Sequence, residues 1–438
     1  MRSKKLKVGS ALVGCALVAL FATTLTVGAG NVATARVGSG TATPAKSVCG
    51  LGNGKKAKGA PIKLGGIFTQ VPGVDFTTIG KIAEAYFKCV NDNGGINGRR
   101  IQYTLYTEQL DAAQNRNLAK KLVESDKVVG VVGNTSLIEC AVNAKYYKQV
   151  GHYVIGAGVP GECFGSSNFA AVNMGPRYSN IGAAQALVRA GAKSIVVSSP
   201  SAVAEYSNGG PALVAKAAGL PYKGFGENLP LTDPNSIVQK LVQAAGPGGG
   251  VLLNYTPESA TPLLKAAAAQ GVIDRVKWGS STPAANELVA KENPGFDGKI
   301  LVNSEFGLLT DKGPDMTLYR QITAKYAKNI PIQSFGQMGF LVGRFVTKAL
   351  LTAKGGVTKK SYNTAVRALK NEKSDILCKP WYFGNALPYH IPNNTDITVT
   401  YDNGKLKRVE NCFAIQAVDP QLVQTRKWEK QFKLNTAK

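Results

Sequence analysis

IKLGGIF, residues 62–68, is followed after a short loop by Ile79, Ile82, Ala83, Tyr86, Phe87 and Val90, and the change of spacing between the two stretches is the key to the architecture. The first is an apolar run of strand length. The second places apolar residues three and four apart, the period of a helix with one face on a core. NDNGG (91–95) ends that helix, because Asn and Gly enter left-handed conformations at little cost. IQYTLYT (101–107) then reads as a strand, LAKKLVES (118–125) as a helix and VVGVVG (128–133) as a strand. The succession continues with SIVVSS then PALVAKAAG, GVLLNYT then PLLKAAAAQG, and KILVNS then a helix around Leu318 to Tyr326. Short apolar strands alternating with amphipathic helices predict an α/β chain whose parallel sheets are covered on both faces. The C-terminal part departs from this succession, since ITVTYDNGKLKRV (397–409) has two alternating runs about Asn403-Gly404 and reads as a β-hairpin. No close internal repeat is visible.

Ahead of this region, Arg2, Lys4, Lys5 and Lys7 precede an apolar run from Val8 to Val32 and an A-x-A site at Ala33-Thr34-Ala35. That order predicts a secretory signal peptide over residues 1–35. A retained membrane anchor is one alternative for a run of this length. Lipidation at Cys15, in the box Leu12-Val13-Gly14-Cys15, is another, although the apolar run continues past it. Residues 36–61, mostly Gly, Ser, Thr, Lys and Ala, read as a flexible tether. Without residues 1–35 the chain keeps about 403 residues, enough for two domains with cores of their own.

The chain carries a net charge of +25, and the four basic residues of the signal have no acidic counterpart there, leaving +21. Lys and Arg are spread along the chain and cluster only in pieces such as GKKAKG and KLKR, so no nucleic-acid footprint emerges. On an exported protein such a surface is either solvated or in contact with an anionic envelope of lipid or wall polymer. Beyond Cys15 the cysteines are Cys49, Cys89, Cys140, Cys163, Cys378 and Cys412. An even number in an exported chain predicts disulfides, and Cys378 with Cys412 is the expected pair because both flank one compact segment. There is no C-x-x-C, and His152 and His390 are the only histidines, so a zinc site lacks ligands.

VIGAGVPG (154–161) spells G-x-G-x-x-G through Gly156, Gly158 and Gly161. A dinucleotide fingerprint should open a helix and be followed about twenty residues later by an acid for the ribose. Here ECFGSSNFAAVNMGP resists helix formation, and no acid occurs between Glu162 and Glu205. No cofactor is therefore expected, and the stretch reads as a Gly-rich turn at the carboxyl end of a parallel strand, where ligands of open α/β sheets collect. GNTSLIEC leaves the previous strand in the same way. Ser136 and Glu139 have capping-box spacing, which predicts a helix start with backbone N–H groups able to meet an anion. Thr256-Pro257 after GVLLNY has the form of another helix start. Tyr206, ahead of Ser207 and Pro211, reads as a third turn. Tyr206 and Tyr255 are either core plugs or part of a cleft. No G-x-S-x-G, H-E-x-x-H or P-loop is present, both histidines have structural surroundings, and paired acids are scarce, so no catalytic residue and no metal ligand is assigned.

IKLGGIF through AEAYFKCVNDNGGINGRRIQYTLY to LAKKLVESDKVVGVVGNTS resembles the branched-chain amino acid type of periplasmic binding protein, the substrate-binding component of ABC importers. NDNGGINGR (91–99) is the most specific piece. GFLVGRFVTKALLTAKG and HIPNNTDITVTYDNGKL resemble later parts of the same family, so the likeness spans residues 62–417. It implies an α/β, type I periplasmic binding protein: two Rossmann-like lobes joined by three crossovers, closing on a small molecule. Lobe one would take 62–178 and 307–370, and lobe two 179–306 and 371–438. The resemblance further implies a non-catalytic monomer on the outer face of the membrane or in the periplasm, which hands its ligand to an ABC permease.

Phe76, Thr135, Ser136, Gly156 and Gly158 would face the ligand from lobe one, and Tyr206, Tyr255 and Ser281 from lobe two. The sequence departs from the family where amino acid binders place an acid for the ligand's ammonium: after the strand containing Trp278 it has Gly279-Ser280-Ser281-Thr282. The lobe-one turn offers Gly158 in place of Thr, and Thr107-Glu108 stands where the acid after the second strand is displaced. An unpaired buried ammonium costs several kcal/mol. A carboxylate or amide therefore fits as well as an amino acid, unless Glu258 supplies the missing charge.

Overall fold

The computed structural model describes residues 46–434 apart from 331, 333, 385 and 386. The expected signal peptide, its anchor and Cys15 alternatives, and residues 36–45 of the tether lie outside the described residues.

β1 (Gly59–Val71) turns at Pro72-Gly73 into the short β2 (Val74–Asp75), which leads into α1 (Thr77–Asp92). α1 buries Ile79, Ile82, Ala83, Tyr86, Phe87 and Val90, the residues whose spacing predicts it. Past its end, Gly94 and Gly95 have φ of +96° and +58°, which explains why the run stops there. β3 (Arg99–Glu108), α2 (Ala112–Lys120), β4 (Gly130–Val131), α3 (Glu139–Gln149), β5 (Val154–Gly156), α4 (Gly161–Phe164) and β6 (Phe169–Ala171) complete the first βα succession. β3, β1 and β4 are parallel neighbours, a Val132–Ile155 bridge carries the sheet on to β5, and β6 follows.

The chain then crosses into a second succession: α5 (Gly175–Arg189), β7 (Ile195–Pro200), α6 (Ser201–Ala217), β8 (Tyr222–Glu227), α7 (Pro234–Ala245), β9 (Gly250–Leu253), α8 (Pro257–Ala269), β10 (Lys277–Ser280), α9 (Glu287–Glu292) and β11 (Ile300–Ser304). It returns through α10 (Pro314–Tyr326), α11 (Ser334–Thr352) and α12 (Lys359–Arg367) to cover the first sheet. It crosses back for β12 (Thr395–Asp402), β13 (Lys405–Ala414) and α13 (Pro420–Phe432). The second sheet runs β8-β7-β9-β10-β11 in parallel, with β12 and β13 added antiparallel. Both halves thus share one strand order, in which the second strand lies outside the first and the third, fourth and fifth follow on its other side.

Several expectations are corrected. Residues 46–61 are not a loose tether: Cys49 is bonded to Cys89, Leu51 N–H donates to Asn93 O at 3.1 Å, and β1 already begins at Gly59. Composition conceals this, because the anchoring comes from one disulfide and backbone bonds. The first crossover lies at residues 172–174, ahead of the expected 178, since α5 packs on the second sheet: a Cβ on Gly182 would strike Asn303 and Asp396. Residues 371–383 stay with the first half. There Trp381 stacks on Phe345 at 4.6 Å and its Nε1 donates to Ala171 O at 2.7 Å, so the third crossover falls after 383 rather than at 370.

α6 begins ten residues before Pro211, where the sequence suggests a helix start. Pro211 has no N–H for the Ser207 carbonyl one turn earlier, and Asn180 Nδ2 of α5 donates to that carbonyl instead, at 3.4 Å. The C-terminal hairpin is present with Asn403 and Gly404 both at positive φ, as a tight two-residue connection requires. Cys378–Cys412 forms as expected, alongside Cys49–Cys89 and Cys140–Cys163.

Candidate ligand site

One cavity lies between the carboxyl ends of the two parallel sheets. Phe76 and Val74 reach it from beyond β1, Thr135 and Leu137 from beyond β4, and Gly158 and Asn173 from beyond β5 and β6. From the other half come Val203 after β7, Asn254 and Tyr255 after β9, Ser281 after β10 and Glu305 after β11. Every contribution follows a strand, which is where the geometry of open parallel sheets leaves a crevice. Phe335 and Met338, at the start of α11, close one side, and Phe76 meets Phe335 edge-on at 5.5 Å.

The structure brings Phe76, Thr135, Gly158, Tyr255 and Ser281 onto this wall and leaves three expected residues off it. Ser136 is buried behind the wall. Its Oγ donates to Glu108 Oε1 at 2.8 Å and accepts from the Ile138 and Glu139 N–H groups at 3.0 Å. It meets N–H groups just ahead of and at the start of α3, whose N-cap position is Ile138, and no capping box forms: the Glu139 carboxylate accepts from Asn134 Nδ2 at 2.7 Å. Gly156 ends β5, where a Cβ would lie 2.5 Å from the Asn134 carbonyl, so its bareness serves strand packing. Tyr206 is inside α6 rather than at its start, with its ring against the Arg177 guanidinium at 5.4 Å. The fingerprint is thereby explained: Gly158 gives room to Phe164 and Cys163, Gly161 to Tyr206, and Gly156 to a carbonyl.

The polar groups of the wall are mostly committed to one another. Asn173 holds both backbone groups of Gly158, accepting from its N–H at 2.8 Å and donating to its carbonyl at 2.9 Å. Ser281 Oγ donates to Asn254 Oδ1 at 2.8 Å, and Tyr255 Oη shares a 2.6 Å bond with Ser198 Oγ. Thr135 Oγ1 donates to Gly133 O at 2.9 Å. Glu305 stands apart as the acid of the wall. It is fully buried and accepts from the Met174 N–H at 2.6 Å, and burial pushes its carboxyl up to about 7. Glu258, the acid the sequence offers for a ligand ammonium, is exposed and not on the wall.

Asn254 and Glu305 each directly follow an apolar strand, a signal legible in NYT and in NSEF. Phe335 and Met338 carry no such signal, because an apolar residue at a helix start looks like any core residue.

Beside the cavity the β1–β2 turn bridges to the other half: its Gly73 carbonyl accepts from Thr256 Oγ1 at 2.8 Å and Ser259 Oγ at 2.9 Å. Among the described residues no group of His, Cys, Asp and Glu could hold a metal ion. His152 and His390 are buried, and burial lowers both to about 4.

A family model described as periplasmic binding protein matches residues 61–402. The chain belongs to that family. Its members are binding proteins rather than enzymes, and the branched-chain resemblance seen in the sequence accords with the match. Among solved structures, a fatty acid ABC transporter substrate-binding protein from Thermomonospora curvata is similar with a TM-score of 0.71 at 16% identity, covering 83% of this chain and 95% of that one. A branched chain amino acid ABC transporter protein from Thermus thermophilus with bound valine gives 0.70 at 12% identity, with 85% and 100% covered. A solute binding protein from R. palustris in complex with benzoate gives 0.67 at 16% identity, with 83% and 99% covered. At these identities the likeness is one of fold. No curated protein sequence matches this chain.

Proposed function

We propose that this protein is the extracytoplasmic receptor of an ABC importer, which captures a small organic acid with an apolar body and presents it, as a monomer, to a membrane permease. The observation that carries the reading is a cavity built by loop ends from both halves, with Gly73 bonded across to Thr256 and Ser259 beside it. Hinge closure around a ligand is the motion such an arrangement serves. Three disulfides fit an oxidising location outside the cytoplasm, reached through the N-terminal signal.

The cavity sets the ligand's size and character. Its free space is about 70 Å³, room for about five waters. That suits a molecule the size of valine or benzoate and excludes a long acyl chain from the closed form. The wall is mainly Val, Ile, Leu, Phe, Met and Pro, so affinity rests on apolar burial while few polar groups fix orientation.

Isothermal titration with valine, benzoate, 4-hydroxybenzoate and octanoate tests the reading. Valine, benzoate or 4-hydroxybenzoate, the three compact probes, should include at least one that binds at micromolar Kd or better, and Tyr255→Ala should weaken it at least tenfold. Absence of binding by the whole panel overturns it.

A further inference from the structure

We propose that Glu305 is protonated in the liganded protein and donates a hydrogen bond to the carboxylate of the bound acid, so that capture above neutral pH takes up one proton from solvent. The inference rests on the receptor reading above and adds the device that fixes the ligand's charged end.

The wall has a buried acid and no base. Its lining residues include no Lys, Arg or His, and Tyr255 is the only titratable side chain there besides Glu305; burial holds that phenol far above its ordinary value. A carboxylate entering this space meets a second carboxyl with no cation to separate the two. Two like charges at close range in a dry cavity cannot both persist, and one shared proton resolves the conflict.

The surroundings of Glu305 supply hydrogen-bond donors but no cation to oppose this. From α5 come the Met174 N–H at 2.6 Å and the Ser179 hydroxyl, and from the turn after β10 the Thr282 hydroxyl. These favour the charged form, but burial outweighs them and pushes the carboxyl up to about 7. The segment before β12 presents Asn393, whose Nδ2 donates to the Glu305 backbone carbonyl at 3.4 Å. β12 itself presents Asp396, a further acid, itself held well above the usual carboxylate range first by burial and then by the charge of Glu305. The positive end of α5, at Gly175 and Pro176 on the wall, is placed to stabilise the one negative charge that remains on the pair.

Benzoate titrated calorimetrically between pH 5.5 and 8.5, in two buffers of different ionisation heat, reads the proton directly. Uptake should approach one proton per benzoate near pH 8. Kd should be level below pH 6.5 and weaken up to about tenfold per unit above pH 7. Glu305→Gln, whose amide still donates, should bind benzoate with no proton uptake and little pH dependence. Binding by the unaltered protein with no proton uptake and a flat pH profile overturns the proposal, whatever the variant does. It is equally overturned if valine binds in place of benzoate, releasing a proton, and Glu305→Gln abolishes that binding; Glu305 would then be the counter-ion of an amine, and the receptor reading would stand. Failure of every probe to bind removes both.

Discussion

Asn180 shows how a single side chain repairs a defect that the sequence displays openly. Pro211 breaks the hydrogen-bond ladder of α6, and the Ser207 carbonyl left over is met by Asn180 Nδ2 from the neighbouring helix. A buried carbonyl without a donor costs about 1–3 kcal/mol, so Asn180→Ala should lower stability by that order in urea unfolding. Pro211→Ala restores an N–H in the helix, and in that background the same substitution should cost clearly less. The partner of Ser207 is 27 residues away in sequence, which is why Pro211 reads locally as a helix start and not as a repaired interior. Packing likewise hides the reason for the three glycines of VIGAGVPG. Their spacing is plain in the sequence, but Asn134, Phe164 and Tyr206, which need the space, are brought in by other elements.

Strands and helices are largely legible in the sequence because most bury a stripe set by their own period: α1 and β13 follow their patterns closely, whereas β12 is buried on both faces. The joins between them are not. The β1–β2 turn, Val71-Pro72-Gly73-Val74, is short and carries no polar side chain, yet it is the piece that crosses to the second half. Gly73 has φ +88°, and a Cβ there would sit 3.0 Å from Ser259 Oγ, so only glycine brings its carbonyl to both hydroxyls without strain. Replacing Thr256 and Ser259 together by Ala removes both closing bonds. Ligand dissociation followed by stopped-flow should then quicken by about tenfold, at roughly 1 kcal/mol for each bond or somewhat less, while the association rate changes little. An unchanged dissociation rate would show that the turn does not hold the halves together.

Across the molecule, the buried ionisable groups give the fold a signed response to pH. Burial raises Glu139 from 4.5 to about 7. The fold therefore favours its protonated form, and that contribution is complete below pH 4.5 and is lost as pH rises through 7. Glu139→Gln keeps an acceptor for Asn134 and cannot ionise. Relative to the unaltered protein it should gain stability between pH 4.5 and 8, by on the order of 3 kcal/mol, read as the change in the difference of denaturant midpoints. The histidines work in the opposite sense: lowered from 6.5 to about 4, they contribute above pH 6.5 and lose that contribution as pH falls through 4. The two halves also repeat one strand order without any repeat in the sequence. Parallel sheets constrain topology through the handedness and shortness of their connections, and leave side-chain identity free on most positions.

Residue order alone pointed to a layered α/β chain, to Cys378 with Cys412 as the expected pair, and to strand ends near Thr135, Gly158 and Tyr255, which the structure gathers around one cavity. Those features follow from periodicity and from a general property of parallel sheets, both of which act over a few residues. Three-dimensional packing was needed to turn Ser136 and Tyr206 inward, to set Glu305 and not Glu258 beside the cavity, and to bond Gly73 across to the other half. Each of these depends on the direction in which a side chain or carbonyl is aimed by elements tens to hundreds of residues away, and such directions are fixed by close packing rather than by local spacing.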